Sequence, residues 1–178
     1  MVVNKKQFLG RRGVYLLVNN VRSAYNVGSL FRLCDAVRVE KLFLTGYTPY
    51  PKTAGDNRPA YVASRADRAI RKAGLAGVSS VPWEHHENPI KICQELKKQC
   101  VKIVSIEQSE VSQNYLSFLR SLKYTDGIKV CFVVVHERDG VDKELLAISD
   151  AVLDIPMKGE GKSLNVAMAA TVVLFAFE

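Results

Sequence analysis

The chain has 178 residues, 48% hydrophobic, 24% charged and 8% aromatic. Those proportions describe one globular domain with a proper core, too apolar for intrinsic disorder and too short for two full domains. No apolar run reaches the ~18 residues of a membrane span. Residues 1–13 carry no apolar stretch of the secretory kind, so a cytoplasmic location is expected. The net charge of +7 is one-sided: residues 1–34 hold Lys5, Lys6, Arg11, Arg12, Arg22 and Arg32 and no acid. The other 19 of the 25 Lys and Arg face 18 Asp and Glu and nearly cancel. A basic arm of this kind concentrates polyanions on one side of a molecule, and nucleic acid is the first partner to consider. A solvated basic tail is the alternative. Cys34, Cys93, Cys100 and Cys131 form no CxxC pair. Disulfide scaffolds and the usual zinc spacings are therefore set aside, and reduced, mostly buried thiols are expected.

Along the chain, strand-like and helix-like runs alternate. Val14 to Val18 reads as a short apolar strand. Asn26 to Val39 places Val27, Leu30, Phe31, Cys34 and Val37 at helical spacing, with Asn26 in an N-cap position. Lys41 to Thr45 is a second strand closed by Gly46. Residues 47–58, with two prolines, Gly55 and Asp56-Asn57, read as a loop. Pro59 to Ala73 is a helix with a basic face (Arg58, Arg65, Arg68, Arg71, Lys72). Gly74 to Pro82 reads as irregular, and the tandem His85-His86 as a solvated loop. Pro89 to Gln99 is an amphipathic helix and Val101 to Ile106 a strand. Residues 107–127 show no clear period. Val130 to Val135 is an apolar strand, Val141 to Ile148 a short helix, Val152 to Ile155 a strand and Leu164 to Phe177 a final helix.

Apolar strands separated by helices predict an α/β fold: a mostly parallel sheet flanked by helices on both faces. Ligands in such sheets sit outside the carboxyl ends of the strands. Chemistry is therefore expected just after Val18, Thr45, Ile106, Val135 and Ile155. No GxGxxG follows the first strand, and neither GxxxxGK[ST] nor GxSxG occurs. His136-Glu137 begins like a zinc motif, but Gly140 stands where HExxH needs its second histidine. No metal site is expected.

Three polar segments remain at strand ends. The first runs from Asn20 to Arg32 and includes Arg22, Asn26, Val27 and Gly28. The second is His136 to Gly140. The third runs from Ile155 to Ala167 and includes Pro156, Met157, Ser163, Leu164, Asn165 and Val166. Taken singly, each has an ordinary explanation: Asn26 and Ser163 as helix caps, Gly140 as a turn. Their occurrence together, in this order, resembles the three motifs of the SpoU/TrmH family of RNA ribose 2'-O-methyltransferases, within the SPOUT superfamily. The third motif is the most specific. The resemblance runs from about residue 14 to the end, with residues 47–127 matching in layout more than in motif.

The resemblance implies a C-terminal trefoil knot, a rare exception to unknotted chains. It implies S-adenosylmethionine as cofactor, a homodimer whose active site is completed across the interface, and a ribose 2'-hydroxyl in tRNA or rRNA as substrate. It implies catalytic roles for Arg32, Asn26, Glu137, Ser163 and Asn165, and cofactor contacts from Val135, His136, Gly140, Ile155, Met157 and Leu164. Residues 1–13 become a basic arm on a single domain of residues 14–178. Lys5, Lys6, Arg11, Arg12 and Arg22 would then bind RNA phosphates without reading sequence.

The residue types suit the reaction. Methyl transfer is an in-line displacement that needs alignment of the hydroxyl and management of its proton. An arginine holds its proton in proteins, so Arg32 suits stabilisation of a developing alkoxide or of the neighbouring phosphate. The family carries Gly-Asn ahead of the second-motif glutamate, where this chain has Val135-His136. That departure keeps a second reading open, an RNA-binding relative without catalysis. A third, an α/β metabolic enzyme acting on a small anion, rests only on the basic charge.

Overall fold

The computed structural model describes residues 13–122, 127–135, 143–161 and 163–178. Seven strands are present among them: β1 (Gly13–Asn19), β2 (Lys41–Thr45), β3 (Trp83–His86), β4 (Val101–Ile106), β5 (Gln113–Asn114), β6 (Lys129–Val135) and β7 (Ala151–Asp154). They form one sheet of order β3-β2-β1-β6-β4-β7-β5 in which every pairing is parallel. The helices are α1 (Ala24–Ala36), α2 (Ala60–Gly74), α3 (Gly77–Ser80), α4 (Pro89–Lys98), α5 (Tyr115–Leu122), α6 (Lys143–Ile148) and α7 (Val166–Phe177).

The two-residue period of the strands divides the core. Val14, Leu16 and Val18 of β1, with Val130, Phe132 and Val134 of β6, face the layer that holds α1, α5 and α7. Leu17, Cys131, Val133 and Val135 point the other way, onto Ile92, Cys93 and Leu96 of α4 and Leu145 of α6. Central strands buried on both faces are what an apolar, non-alternating run signifies. Cys34, Cys93 and Cys131 are buried and Cys100 is exposed, all as free thiols. Burial holds the Cys93 thiol up to about 11.

Four local expectations need correction. Ser23, not Asn26, caps α1: its side chain accepts the Asn26 N–H at 3.3 Å, so the helix starts earlier and Asn26 lies in its first turn. His85 and His86 are not a solvated loop but the end of β3, a short edge strand paired with β2. Its Glu-His-His sequence lacks the apolar signal of the inner strands. Arg58 is outside α2 and turns back to Asp56. The last helix begins at Val166, capped by Asn165 rather than Ser163. Residues 74–82 contain α3, and the unassigned 107–127 contain β5 and α5.

Gly28, part of the first motif, has a packing role. A Cβ built there would lie 2.5 Å from the Ile70 carbonyl oxygen and 2.7 Å from Ala73 Cβ. Only glycine lets α1 and α2 approach this closely, and the obstructing atom is backbone that does not swing aside. Gly28→Ala is expected to cost about 2 kcal/mol through overpacking, lowering the melting temperature by roughly 4–8 °C for a chain of this size. Thermal unfolding followed by circular dichroism measures it.

Candidate active site

Because all seven strands run the same way, their carboxyl ends share one edge of the sheet. At the end of β1 the chain must turn sharply into α1. Asn20 makes that turn with φ +56°, a left-handed conformation that asparagine tolerates better than most residues. Its Oδ1 accepts the Tyr47 N–H at 3.2 Å. Thr48 Oγ1 accepts the Val21 N–H at 3.1 Å and lies 2.7 Å from the Thr45 carbonyl. Thr45 Oγ1 donates to Asn19 Oδ1 at 2.9 Å. The polar groups of the first motif's entry are thus held by the loop after β2.

That loop is itself clamped. Arg58 binds Asp56 through two nitrogens, at 2.9 and 2.6 Å, and its guanidinium holds the Asp56 carboxyl well below the usual carboxylate range. The guanidinium carbon sits 3.4 Å from the centre of the Tyr50 ring, which stacks on His85 at 4.0 Å. His85 Nε2 lies 3.0 Å from the Gly46 carbonyl oxygen. A carbonyl only accepts, so that nitrogen carries the proton.

The decisive contact links the two ends of the chain. Asn165 Oδ1 accepts the Ala167 N–H at 2.9 Å as the N-cap of α7. This fixes the amide orientation and turns Nδ2 outward, where it donates to Asn26 Oδ1 at 3.2 Å. The two asparagines are 139 residues apart in sequence. First-motif and third-motif side chains therefore meet, and both are partly buried.

A cleft of about 300 Å³ lies at the carboxyl ends of β4, β6 and β7. Val135, Ile155, Met157, Ser163 and Leu164, all singled out from sequence, line it. So do Glu107 and Gln108, which sequence reasoning did not name. The signal for them was positional: they directly follow a buried parallel strand, where the sheet rule already placed chemistry. Arg32 makes no hydrogen bond to either asparagine among the described residues. It stands on the exposed strip of α1 with Tyr25 and Ser29, and it has no ion pair among the described residues. Arg22 is exposed, its guanidinium carbon 5.9 Å from the centre of the Tyr47 ring. His136, Glu137, Gly140, Lys5, Lys6, Arg11 and Arg12 lie outside the described residues. Among the described residues no three His, Cys, Asp or Glu side chains gather as a metal site, and no helix is long and apolar enough to cross a membrane.

The family model described as the SpoU rRNA Methylase family matches residues 13–175. This chain belongs to that family. Among SpoU relatives, it is 29% identical to a tRNA (guanosine(18)-2'-O)-methyltransferase of Aquifex aeolicus over 98% of this chain and 71% of the relative. It is 28% identical to the 23S rRNA (guanosine-2'-O-)-methyltransferase RlmB of Xylella fastidiosa over 93% of this chain. It spans 58% of that second relative's length. The fold matches the A. aeolicus TrmH/SpoU tRNA modifying enzyme with TM-score 0.72 at 27% identity, over 94% of this chain and 75% of that one. It also matches the SpoU methyltransferase AviRb of Streptomyces viridochromogenes, solved in complex with AdoMet, with TM-score 0.70 at 19% identity, covering 99% of this chain and 62% of that one.

The histidine under Tyr50 gives the clamp a pH dependence. Burial pushes the His85 imidazole below its ordinary value, against the opposing pull of the Gly46 carbonyl. The unfolded chain then binds a proton that the folded chain refuses, so stability rises with pH through that range. In denaturant titrations the unfolding free energy is expected to fall as pH drops below about 6.5, and to level off below the folded-state value. His85→Gln, which can still donate to Gly46, should flatten that part of the profile.

Proposed function

We propose that this chain transfers a methyl group from S-adenosylmethionine to a ribose 2'-hydroxyl of tRNA or rRNA. The observation that carries the reading is the Asn165–Asn26 hydrogen bond, which joins two of the three family motifs beside a cleft at the carboxyl edge of the sheet. The family match and the named activities of the relatives support it.

The cleft suits the cofactor. Val135, Ile155 and Leu164 offer apolar walls to a purine, while Glu107, Gln108 and Ser163 supply polar groups for ribose and amino-acid hydrogen bonds. The Glu107 carboxylate complements a positively charged donor. When bound, S-adenosylmethionine supplies an activated methyl group on a sulfonium leaving group. The chain's own task is alignment and charge. Asn26 Oδ1, one lone pair occupied by Asn165, keeps a second to accept the hydroxyl's O–H. Arg32 offers its guanidinium to offset negative charge on the oxygen as that proton leaves to solvent. Ser163 and Met157 line the cleft, and the family resemblance assigns the orienting of an arginine to Glu137 and cofactor contact to His136 and Gly140.

We read residues 14–178 as one catalytic domain that works on RNA in the cytoplasm, with residues 1–13 as a phosphate-binding arm alongside Arg22. The C-terminal segment is read as a trefoil knot. Support comes from the return of α7 to the centre of the sheet, where Phe177 packs edge-on to Phe132 of β6 at 5.4 Å. A homodimer is read from α7, whose Met168 and Phe175, seven residues apart, are 58% and 56% exposed. Apolar side chains this open on one strip favour a second subunit over solvent.

Incubation with S-adenosylmethionine and total tRNA or rRNA, followed by mass spectrometry of nucleosides, should reveal a new 2'-O-methyl nucleoside. Arg32→Ala should lower turnover by about 100-fold, the scale of losing one charge-stabilising donor, without changing cofactor affinity. Val135, which lines the cleft where the family carries glycine, motivates a second reading, the catalytically inactive RNA-binding relative. Calorimetry decides between them: on the methyltransferase reading the wild type should bind S-adenosylmethionine. A wild type that binds RNA but neither binds the cofactor nor methylates RNA is the inactive relative.

A further inference from the structure

A second cleft, of about 370 Å³, lies between the start of α1 and the first half of α2. Tyr25 and Tyr61 line it, with Arg22 and Arg65, over a floor that includes Val62 and Ala66. Tyr61 is 77% exposed and Tyr25 54% exposed. Among the described residues no acidic side chain lines the cleft, and Arg65 and Arg68 stand on the exposed side of α2. Tyr25 immediately precedes Asn26 on α1.

We propose that this cleft takes an unstacked nucleobase of the RNA substrate, from a nucleotide neighbouring the one that is methylated. The inference rests on the RNA 2'-O-methyltransferase reading and adds the conformation of RNA accepted. Two tyrosine rings offer faces to a base, at about 1–3 kcal/mol for each stacked base. Their exposure in the free protein is otherwise unfavourable for so much apolar area. The flanking guanidiniums match phosphates on either side of the base, and the lack of any acid among the described lining residues favours a polyanion over a peptide. A base inside an A-form duplex keeps its faces covered by its neighbours, so the cleft selects single-stranded loops or ends.

Fluorescence-anisotropy titration of a short single-stranded oligo(A), and of an RNA duplex of the same length, tests this with the full-length protein. Tyr61→Ala should weaken single-strand binding by about tenfold, within the range for a lost stack. It should leave the slope of affinity against salt unchanged, because no phosphate contact is removed. Tyr61→Phe should restore the affinity, and duplex binding should not respond to either variant. Arg65→Ala should instead reduce the salt slope. Equal losses on both probes, no loss in Tyr61→Ala, or a wild type that does not bind oligo(A) would overturn the proposal. A change of molecular mass in Tyr61→Ala by light scattering would mark the cleft as a subunit contact, and would also overturn it. Failure of the methyltransferase reading shows separately, as absent methyl transfer by a wild type whose single-strand binding still depends on Tyr61.

Discussion

Seven strands with one direction impose a single geometric constraint: every strand ends on the same edge. The chain leaves the sheet there repeatedly, and each exit needs a polar, tightly turned connection. In an antiparallel sheet those connections would be divided between two edges. Here the exits after β1, β4, β6 and β7 supply the first motif, Glu107 and Gln108, the Val135 wall and the third motif. The site is a consequence of direction before it is a consequence of any one side chain.

Within that edge, precision comes from side chains that satisfy backbone groups. Asn165 caps α7 with its oxygen and so has only its nitrogen to give to Asn26. The start of the final helix and the orientation of the Asn165 amide are one structural event. Asn20 and Thr48 do similar work at the end of β1, where they hold the turn to the loop after β2. The Arg58–Tyr50–His85 stack then holds that loop against the edge strand β3.

Much of this was legible in the sequence. Buried parallel strands announce themselves as unbroken apolar runs, so β1, β2, β4, β6 and β7 were placed to within a residue or two. The edge strand β3 was missed because its Glu84, His85 and His86 hydrogen-bond and stack at the surface instead of filling a core. Asn26 was read as a cap because asparagine at a helix start is usually one. Ser23, three residues earlier, competes for that duty and leaves Asn26 free for a partner far along the chain, which no local pattern reveals. The third motif is legible only through its resemblance to the family; in the structure its Ile155, Met157, Ser163 and Leu164 line one cleft. Arg32 was placed by resemblance, and its exposed position on α1 shows why local pattern carried no information about its role.

The glycine of the first motif separates two kinds of constraint that sequence comparison merges. Gly28 faces α2, while Asn26, two residues earlier, faces Asn165. In a mutational survey scored by RNA methylation alone, both positions would register as intolerant. Scored by cellular protein abundance they would part company, because one limits how much folded protein exists and the other, on the proposed mechanism, how fast each molecule turns over. A short conserved-looking string can therefore be two overlapping codes, one for accumulation and one for chemistry, interleaved on opposite faces of a single helix.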